Sequence, residues 1–243
     1  MRISRKFISI SILLFTALLC IYLFLHSSFF NIQKIYISGL KIVSENELIN
    51  LSGLSPGANI FEINEQFYEK AVEIHPMVKS AKVIRHLPGE IEIKVEERKV
   101  WALIPHENVF LCIDEEGICI DRLKHYSLFD YPIITMDSMP ERVNLGQAID
   151  PEGIQEIRKI WNTISKESQA EISDFHYINA SKEVVIYTKK GTQVWFGNSE
   201  RLDQKVNVFN QVFQMENKFE EEGTVLEYID LRFSGQPVVK TRI

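Results

Sequence analysis

The strongest constraint on this chain is an apolar stretch near its N-terminus. It runs from Phe7 to Leu25 without a charged residue, a proline or a glycine. As a helix rising about 1.5 Å per residue it would be about 28 Å long, close to the roughly 30 Å hydrocarbon core of a bilayer. Continuing the helix to Phe30 leaves room for tilt, so the sequence predicts a transmembrane helix over residues 7–30.

The charges around this stretch predict its orientation. Arg2, Arg5 and Lys6 precede it, and the 33 acidic residues all follow it. By the positive-inside bias, residues 1–6 form a cytoplasmic tail and the rest of the chain lies outside the cytoplasm. The alternative is a cleaved signal peptide, whose apolar region is usually about 7–15 residues long and is followed by small residues. The longer stretch and the LHSS sequence at residues 25–28 favour an uncleaved, single-pass anchor in the cell membrane.

The part of the chain beyond the membrane is acidic. The sequence has 27 Lys and Arg against 33 Asp and Glu, and three of the basic residues lie in the predicted tail. Phosphate backbones repel such a surface, which argues against nucleic-acid binding. Hydrophobic residues make up 45% of the sequence, enough for packed cores outside the membrane.

Residues 31–98 are predicted to form a small α+β unit. Its three predicted strands are Ile35–Ile37, Ala81–His86 and Glu90–Glu97. In the last strand Ile91, Ile93 and Val95 alternate with charged residues, the pattern of a sheet with one solvated face. The order of elements is strand, helix, helix, strand, strand.

The two helices of this unit lie between its first and second strands. Ser44 and Glu47 have the spacing of a capping box, which predicts the start of a short helix. A second helix is predicted to follow Asn64. The apolar residues that it places on one face are Phe67, Ala71 and Ile74.

Residues 99–243 are richer in strands. The predicted strands are Val100–Leu103, Val109–Ile113, Ile118–Ile120, Val184–Thr188, Thr192–Phe196, Glu227–Phe233 and Val238–Arg242. One helix starts at Asp150 and Pro151, a favourable N-cap followed by a proline at the first helical position. A longer helix is predicted from Glu200 to Glu221. The expected architecture is a mixed β-domain with two helices packed on an open antiparallel sheet.

Several sequence landmarks, in this order and spacing, resemble the FtsQ/DivIB family of bacterial division proteins. They are Ile35-Tyr36-Ile37-Ser38-Gly39, Gly57-Ala58-Asn59-Ile60-Phe61, His75-Pro76-Met77-Val78, Leu87-Pro88, Gln193-Val194 with Phe196-Gly197, and Tyr228-Ile229-Asp230-Leu231-Arg232-Phe233. The resemblance covers nearly the whole chain. It implies an α+β fold in which residues 31–98 form a POTRA domain and residues 99–243 a β-domain.

The resemblance also implies a role and partners. Members of the family are non-enzymatic scaffolds of the divisome, located at the division septum. They bind FtsB and FtsL, and through them are linked to the septal peptidoglycan synthases FtsW and FtsI. The sequence itself predicts no cofactor and no metal.

The C-terminal segment is the candidate partner-binding site. A chain-terminal strand is expected at a sheet edge, where a partner strand can complete the unpaired backbone groups, and Pro237 lacks a donor that a central strand needs. The family resemblance implies that FtsB docks along these last strands. It implies Phe233 as an apolar anchor and Gly235, Val238 and Val239 as the pairing edge. Arg201 resembles a family position near this surface; the other interpretation is a helix-start residue paired with a carboxylate.

The sequence offers no catalytic or metal-binding pattern. None of the six histidines pairs with another at H-x-x-x-H spacing, and no Gly-x-Ser-x-Gly motif or phosphate-binding loop occurs. A tethered cell-wall hydrolase is therefore not favoured. The main alternative function is a POTRA-containing export or outer-membrane assembly factor that binds client polypeptides. Such proteins usually continue into many alternating segments of a transmembrane barrel, which this sequence lacks.

Cys112 and Cys119 flank a predicted turn at residues 114–117. If Ile113 and Ile118 lie opposite each other, the two cysteines do so as well, at a distance that a disulfide can span. An oxidising compartment would allow the bond. The alternative is two free thiols packed as small apolar groups.

Overall fold

The structure is a computed structural model that describes residues 5–124 and 131–242. Residues 1–4 of the predicted cytoplasmic tail lie outside the described residues. So does Ile243, the last residue of the predicted terminal segment. The chain divides into two compact units, Met1–Glu97 (unit 1) and Arg98–Ile243 (unit 2).

The N-terminal apolar stretch is helical. Helix α1 covers Arg5–Leu25, and its segment Ile8–Leu25 has a mean hydropathy of 2.6 with none of it buried inside the protein. A helix of this length and composition fits a membrane span. A short 3-10 turn, Ser28–Phe30, follows it, so the helix ends before the predicted limit at Phe30.

Unit 1 has the β-α-α-β-β order expected of a POTRA domain. Its elements are β1 (Lys34–Ser38), α2 (Glu45–Ser52), α3 (Glu65–Glu73), β2 (Val78–His86) and β3 (Glu90–Glu97). Strand β3 lies in the centre of the three-stranded sheet, parallel to β1 and antiparallel to β2. The alternation in β3 is as predicted, since Ile91, Ile93 and Val95 are buried.

In unit 1 the predicted start of α2 is confirmed, whereas the predicted apolar face of α3 is turned to solvent. Ser44 is the N-cap residue of α2, as its spacing from Glu47 predicted, although its side chain makes no capping hydrogen bond. In α3 the apolar residues Phe67 and Ile74 share one face as predicted, but they are 64% and 73% exposed, whereas Val72 on the other side is fully buried. The side of α3 that faces β2 carries Glu69 and Glu73, which accept the backbone N–H groups of Val83 and Ala81 at 3.0 and 3.1 Å.

Unit 2 is built on one nine-stranded sheet. Its strands are β4 (Ala102–His106), β5 (Val109–Ile113), β6 (Cys119–Leu123), β7 (Ile133–Met136), β8 (Ile172–Ile178), β9 (Glu183–Thr188), β10 (Gln193–Gly197), β11 (Val225–Asp230) and β12 (Val238–Arg242). The order across the sheet is β12-β11-β10-β9-β8-β7-β4-β5-β6. The mixed α+β class and the open sheet are confirmed.

The sheet was expected to be antiparallel, but three of its strand pairs are parallel. Strand β7 lies parallel to both β4 and β8, and β10 lies parallel to β11. Parallel neighbours need a crossover connection, and helices provide it for two of these three pairs, whereas β5 and β6 lie between β4 and β7 in the chain. Helix α4 (Pro151–Thr163), with the short α5 (Lys166–Ala170), connects β7 to β8, and α6 (Leu202–Glu221) connects β10 to β11.

The core of unit 2 lies between the helices and the sheet. Helix α4 buries Ile154, Ile157 and Ile160 completely, and Asp150 caps it by accepting the N–H of Gly153 at 3.0 Å. Gly153 packs directly against the ring of Tyr177: a Cβ there would lie 2.6 Å from two ring carbons.

The register of the β5–β6 hairpin differs from the expected one. Cys112 lies opposite Asp121, and Cys119 lies opposite Ile113, with a bulge between Cys112 and Ile113. The reason is that Ile118 pairs with Ala148 instead of Ile113. Both cysteines are buried free thiols, and burial raises the pKa of Cys112 to about 11. The direct opposition on which the disulfide alternative depended is therefore not formed.

Candidate partner-binding edge

Strand β12 is the outermost strand at one end of the nine-stranded sheet. It pairs only with β11 among the described residues, with Val239 opposite Ile229 and Val238 opposite Asp230. The expectation that the chain-terminal strand lies at an edge is confirmed. An edge strand presents backbone N–H and C=O groups that a further strand can pair with.

The candidate residues on and before β12 are apolar and exposed. Phe233 is 65% exposed, Val238 52% and Val239 40%. Gly235 adopts a φ of 113°, a conformation that favours glycine, in the turn that leads from β11 into β12. The structure therefore brings Phe233, Gly235, Val238 and Val239 into one short segment at the sheet edge.

Arg201 holds this segment from the start of α6. It is the N-cap residue of the helix, with a φ of 54°. Its guanidinium donates to the carbonyl of Arg232 at 2.7 Å and to that of Phe233 at 3.1 Å. Arg201 is thus a helix-start residue, as one interpretation held, but its partners are two backbone carbonyls and not a carboxylate.

Arg232 fixes the same segment from the other side. Its guanidinium forms a fork with the carboxylate of Asp230, at 2.7 Å for the shortest contact, and lies 4.5 Å from the ring centroid of Trp195. These hydrogen bonds lower the pKa of Asp230 below its ordinary value of 3.8. The carboxylate of Glu183 lies 3.4 Å from the guanidinium of Arg232 and is a further ion-pair partner. Charge-paired forks of this kind fix geometry as well as charge.

A small cavity of about 60 Å³ lies beside the segment. Arg201, Lys205, Phe233 and Gly235 are among its lining residues. Lys205 is only 4% exposed; its ammonium donates to the carbonyl of Asn198 at 2.8 Å, and burial lowers its pKa. Arg201 and Lys205 therefore place positive charge beside the segment that leads into β12, next to the exposed ring of Phe233.

Sequence reasoning missed Lys205 and Trp195. A signal for Lys205 was present, because it is three residues after Leu202 and four before Phe209, on the core side of α6. Trp195 gave no comparable signal, since its contact with Arg232 depends on the pairing of β10 with β11. Within residues 5–124 and 131–242, the structure contains no group of three His, Cys, Asp or Glu side chains that could hold a metal ion.

Two family models match most of the chain beyond α1. The POTRA domain of FtsQ type matches residues 30–98, and the C-terminal region of the cell division protein FtsQ/DivIB matches residues 102–232. Among relatives, cell division protein FtsQ of Geotalea daltonii is 25% identical over 224 residues, 88% of this chain and 77% of that protein. Cell division protein DivIB of Clostridium acetobutylicum is 28% identical over 214 residues, 86% of this chain and 82% of that protein.

A solved structure also resembles the chain, at a low level. It is the major extracytoplasmic domain of the division protein DivIB from Geobacillus stearothermophilus, 14% identical, with a TM-score of 0.33. The match covers 52% of this chain and 97% of that one, and at this TM-score it adds nothing to the assignment. The assignment depends on the two family models, which follow each other along the chain with few unmatched residues between them. The chain therefore belongs to the FtsQ/DivIB family of cell division proteins.

Proposed function

We propose that this chain is a non-enzymatic, single-pass scaffold of the divisome that binds FtsB and FtsL and links them to the septal peptidoglycan synthases FtsW and FtsI. In this proposal the N-terminus is cytoplasmic, α1 spans the membrane, and the rest of unit 1 and all of unit 2 lie on the extracytoplasmic side at the septum. The basic residues before α1 support the orientation.

The observation that carries the proposal is the edge strand β12 with its supporting contacts. All of its residues are exposed, and two arginines hold the segment that leads into it. A pre-organised edge reduces the entropy that binding must overcome, and an added strand gains main-chain hydrogen bonds. Phe233 provides an apolar anchor beside the cavity that Arg201 and Lys205 line.

The proposal is tested by photo-crosslinking in the native cells. p-Benzoylphenylalanine is placed at Phe233 in the full-length protein, and the captured protein is identified. We expect FtsB, with capture lost when Val239→Asp is added, because a charge at the edge opposes strand addition. The matched control carries the crosslinker at Asp121, an exposed position of β6 at the opposite sheet edge.

Three outcomes would contradict the proposal. Equal capture of FtsB at Asp121 would mean that the β12 edge is not specific. Capture of diverse unfolded client polypeptides at Phe233 would favour an export or assembly factor. Capture of no FtsB at Phe233, with normal division in the Val239→Asp variant, would exclude the edge as the docking surface.

A further inference from the structure

The segment Gly57–Phe61, to which the proposed function gives no role, lies against the chain that leaves α1. The N–H of Ile32 donates to the carbonyl of Ala58 at 2.8 Å, and the N–H of Gly57 donates to the carbonyl of Ile32 at 2.9 Å. The N–H of Ile60 donates to the carbonyl of Phe30 at 2.9 Å. This short ladder fixes the segment next to the first residues after the helix.

Asn59 connects this segment to the end of α1 itself. Its amide nitrogen donates to the carbonyl of Leu25, the last residue of the helix, at 2.8 Å. Its amide oxygen accepts the N–H of Phe61 at 2.9 Å, and the residue is only 8% exposed. The last carbonyls of a helix have no partner within the helix, so a buried side chain that supplies one fixes the position of the helix end.

Three large apolar side chains at this end of unit 1 are exposed. Phe29 is 55% exposed, Phe61 39% and Leu87 60%. Leu87 lies in the turn between β2 and β3. It belongs to the same end of unit 1 because the carbonyl of Gly89, in the same turn, accepts the N–H of Gln33 at 2.7 Å. We call Phe29, Phe61 and Leu87 the juxtamembrane face.

Aromatic packing joins this face to α1. The ring of Phe30 lies 5.2 Å from that of Phe24 in the helix and 5.1 Å from that of Phe61, measured between centroids. Phe29 lies 5.0 Å from Phe30. The cluster is therefore continuous from the last turn of α1 to the Gly57–Phe61 segment.

The length of α1 places this cluster relative to a bilayer. The apolar segment Ile8–Leu25 has 18 residues and would extend about 27 Å, so Leu25 reaches the boundary of the hydrocarbon core if the helix spans it. Residues beyond Leu25 then lie at the level of the lipid headgroups. Aromatic and apolar side chains at this level are stabilised by insertion between the lipids.

We propose that the juxtamembrane face inserts into the interfacial layer of the same bilayer that α1 spans, and that Asn59 holds it there. The occupant of this exposed apolar face is thus the lipid surface, because the face is continuous with the spanning helix. The inference depends on the membrane anchoring in the proposed function, but not on FtsB binding or on β12.

Ile42 is a matched control within the same unit. It is 75% exposed, more than any residue of the juxtamembrane face. Its N–H donates to Glu97, at the last position of β3, whereas Gly89 precedes the first. The eight residues of β3 separate the two ends by about 23 Å at about 3.3 Å per residue.

The test uses the full-length protein in liposomes of phosphatidylethanolamine and phosphatidylglycerol. p-Benzoylphenylalanine is placed at Phe61, Leu87, Ile42 or Leu14 in separate variants, and acyl-chain adducts are quantified by mass spectrometry. We expect yields at Phe61 and Leu87 about tenfold above that at Ile42, the preference expected for burying an apolar side chain of this size. Leu14, within α1, reports the span itself.

The outcomes separate this inference from the proposed function. Adducts at Leu14 together with yields at Phe61 and Leu87 no higher than at Ile42 would overturn the insertion and leave the anchor intact. No adduct at Leu14 would overturn the span and the inference together. FtsB capture is measured at Phe233 in unit 2, so either result is independent of it.

A second variant tests the role of Asn59. Asn59→Asp keeps an oxygen for the N–H of Phe61 and replaces the donor to Leu25 by an oxygen. We expect the adduct yield at position 61 to fall by at least about fivefold, the factor that loss of one neutral hydrogen bond gives, because the introduced carboxylate also faces the carbonyl oxygen of Leu25; the yield at Leu14 should be unchanged. An unchanged yield at position 61 would overturn the role of Asn59.

Discussion

At the scale of single residues, charge pairing fixes the candidate site. Arg232 is held by the Asp230 carboxylate and stacks on Trp195, so it positions the backbone to which Arg201 donates. The pairing depends on the ionised form of Asp230. Hydrogen bonds from Arg232 lower the pKa of this carboxyl group. A carboxyl group with a lowered pKa in the folded state stabilises the fold above its unfolded pKa and loses this effect as pH falls.

This gives a prediction for acid. The pair should stabilise the folded state fully above about pH 3.8, the ordinary pKa of Asp. This stabilisation should be lost as the pH falls below that value and through the lower pKa of Asp230 in the folded state. The fluorescence of Trp195, in contact with Arg232, should change in this range. The Asp230→Asn variant should lack the transition, whereas Asp121→Asn, at an exposed carboxylate of β6, should retain it. An identical transition in both variants would contradict the assignment.

Gly153 illustrates a packing requirement at one position. Because a Cβ there would lie 2.6 Å from the buried ring of Tyr177, Gly153→Ala should destabilise unit 2 by about 1–3 kcal/mol despite the better helix propensity of alanine. Urea unfolding followed by tryptophan fluorescence measures this, since Trp101, Trp161 and Trp195 all lie in unit 2. Gln155→Ala, at an exposed position of α4, is the control. A Gly153→Ala protein as stable as wild type would contradict the close packing.

At the scale of elements, β12 depends on contacts from α6 and β11. Arg201 reaches from the N-cap position of α6 to the two carbonyls before the final strand. Pairing with β11 then continues through a bulge between Leu226 and Tyr228. The edge is accordingly held at its beginning by side chains and along its length by one neighbouring strand.

The two hydrogen bonds from Arg201 to the carbonyls of Arg232 and Phe233, which we call the clamp, can be tested with a conservative change. Arg201→Lys keeps the charge but cannot present the planar fork to both carbonyls. Because Arg201 is exposed, solvent weakens each bond, so we expect amides of residues 232–236 to exchange about fivefold faster with little change in stability. Hydrogen exchange with mass spectrometry measures this. Arg158→Lys, which alters the ion pair with Glu115, should leave these amides unchanged; equal acceleration in both variants would contradict the clamp.

The sequence predicts best those elements whose pattern is local. Strand β3 has the predicted limits because its alternation is regular, and α4 starts directly after its predicted cap Asp150 because the cap is encoded by adjacent residues. Strands β7 and β8 were not predicted. Both pair in parallel with strands distant in sequence, and such pairings leave no local signature.

The candidate site shows the same division. The edge position of β12 followed from its place at the chain terminus and from Pro237. The partners of Arg201 did not follow, because backbone carbonyls carry no residue-specific signal. The spacing of Phe67 and Ile74 placed them on one face of α3 but did not show that this face is exposed to solvent.

At the scale of the whole molecule, the proposed contacts are divided between the two compact units. Unit 1 carries the spanning helix and the juxtamembrane face, and unit 2 carries the β12 edge. A protein that binds lipid through one unit and a partner strand through the other can act as a scaffold without any catalytic group. The central claim of the account is that the partner adds a strand to β12.

Hydrogen exchange of the full-length protein, with and without the extracytoplasmic segment of FtsB, tests this claim most directly. Strand addition pairs backbone N–H groups, so amides of Val238–Arg242 should become protected, whereas those of Cys119–Leu123 at the opposite edge should not. Binding of FtsB that protects amides elsewhere and leaves Val238–Arg242 unchanged would contradict the account.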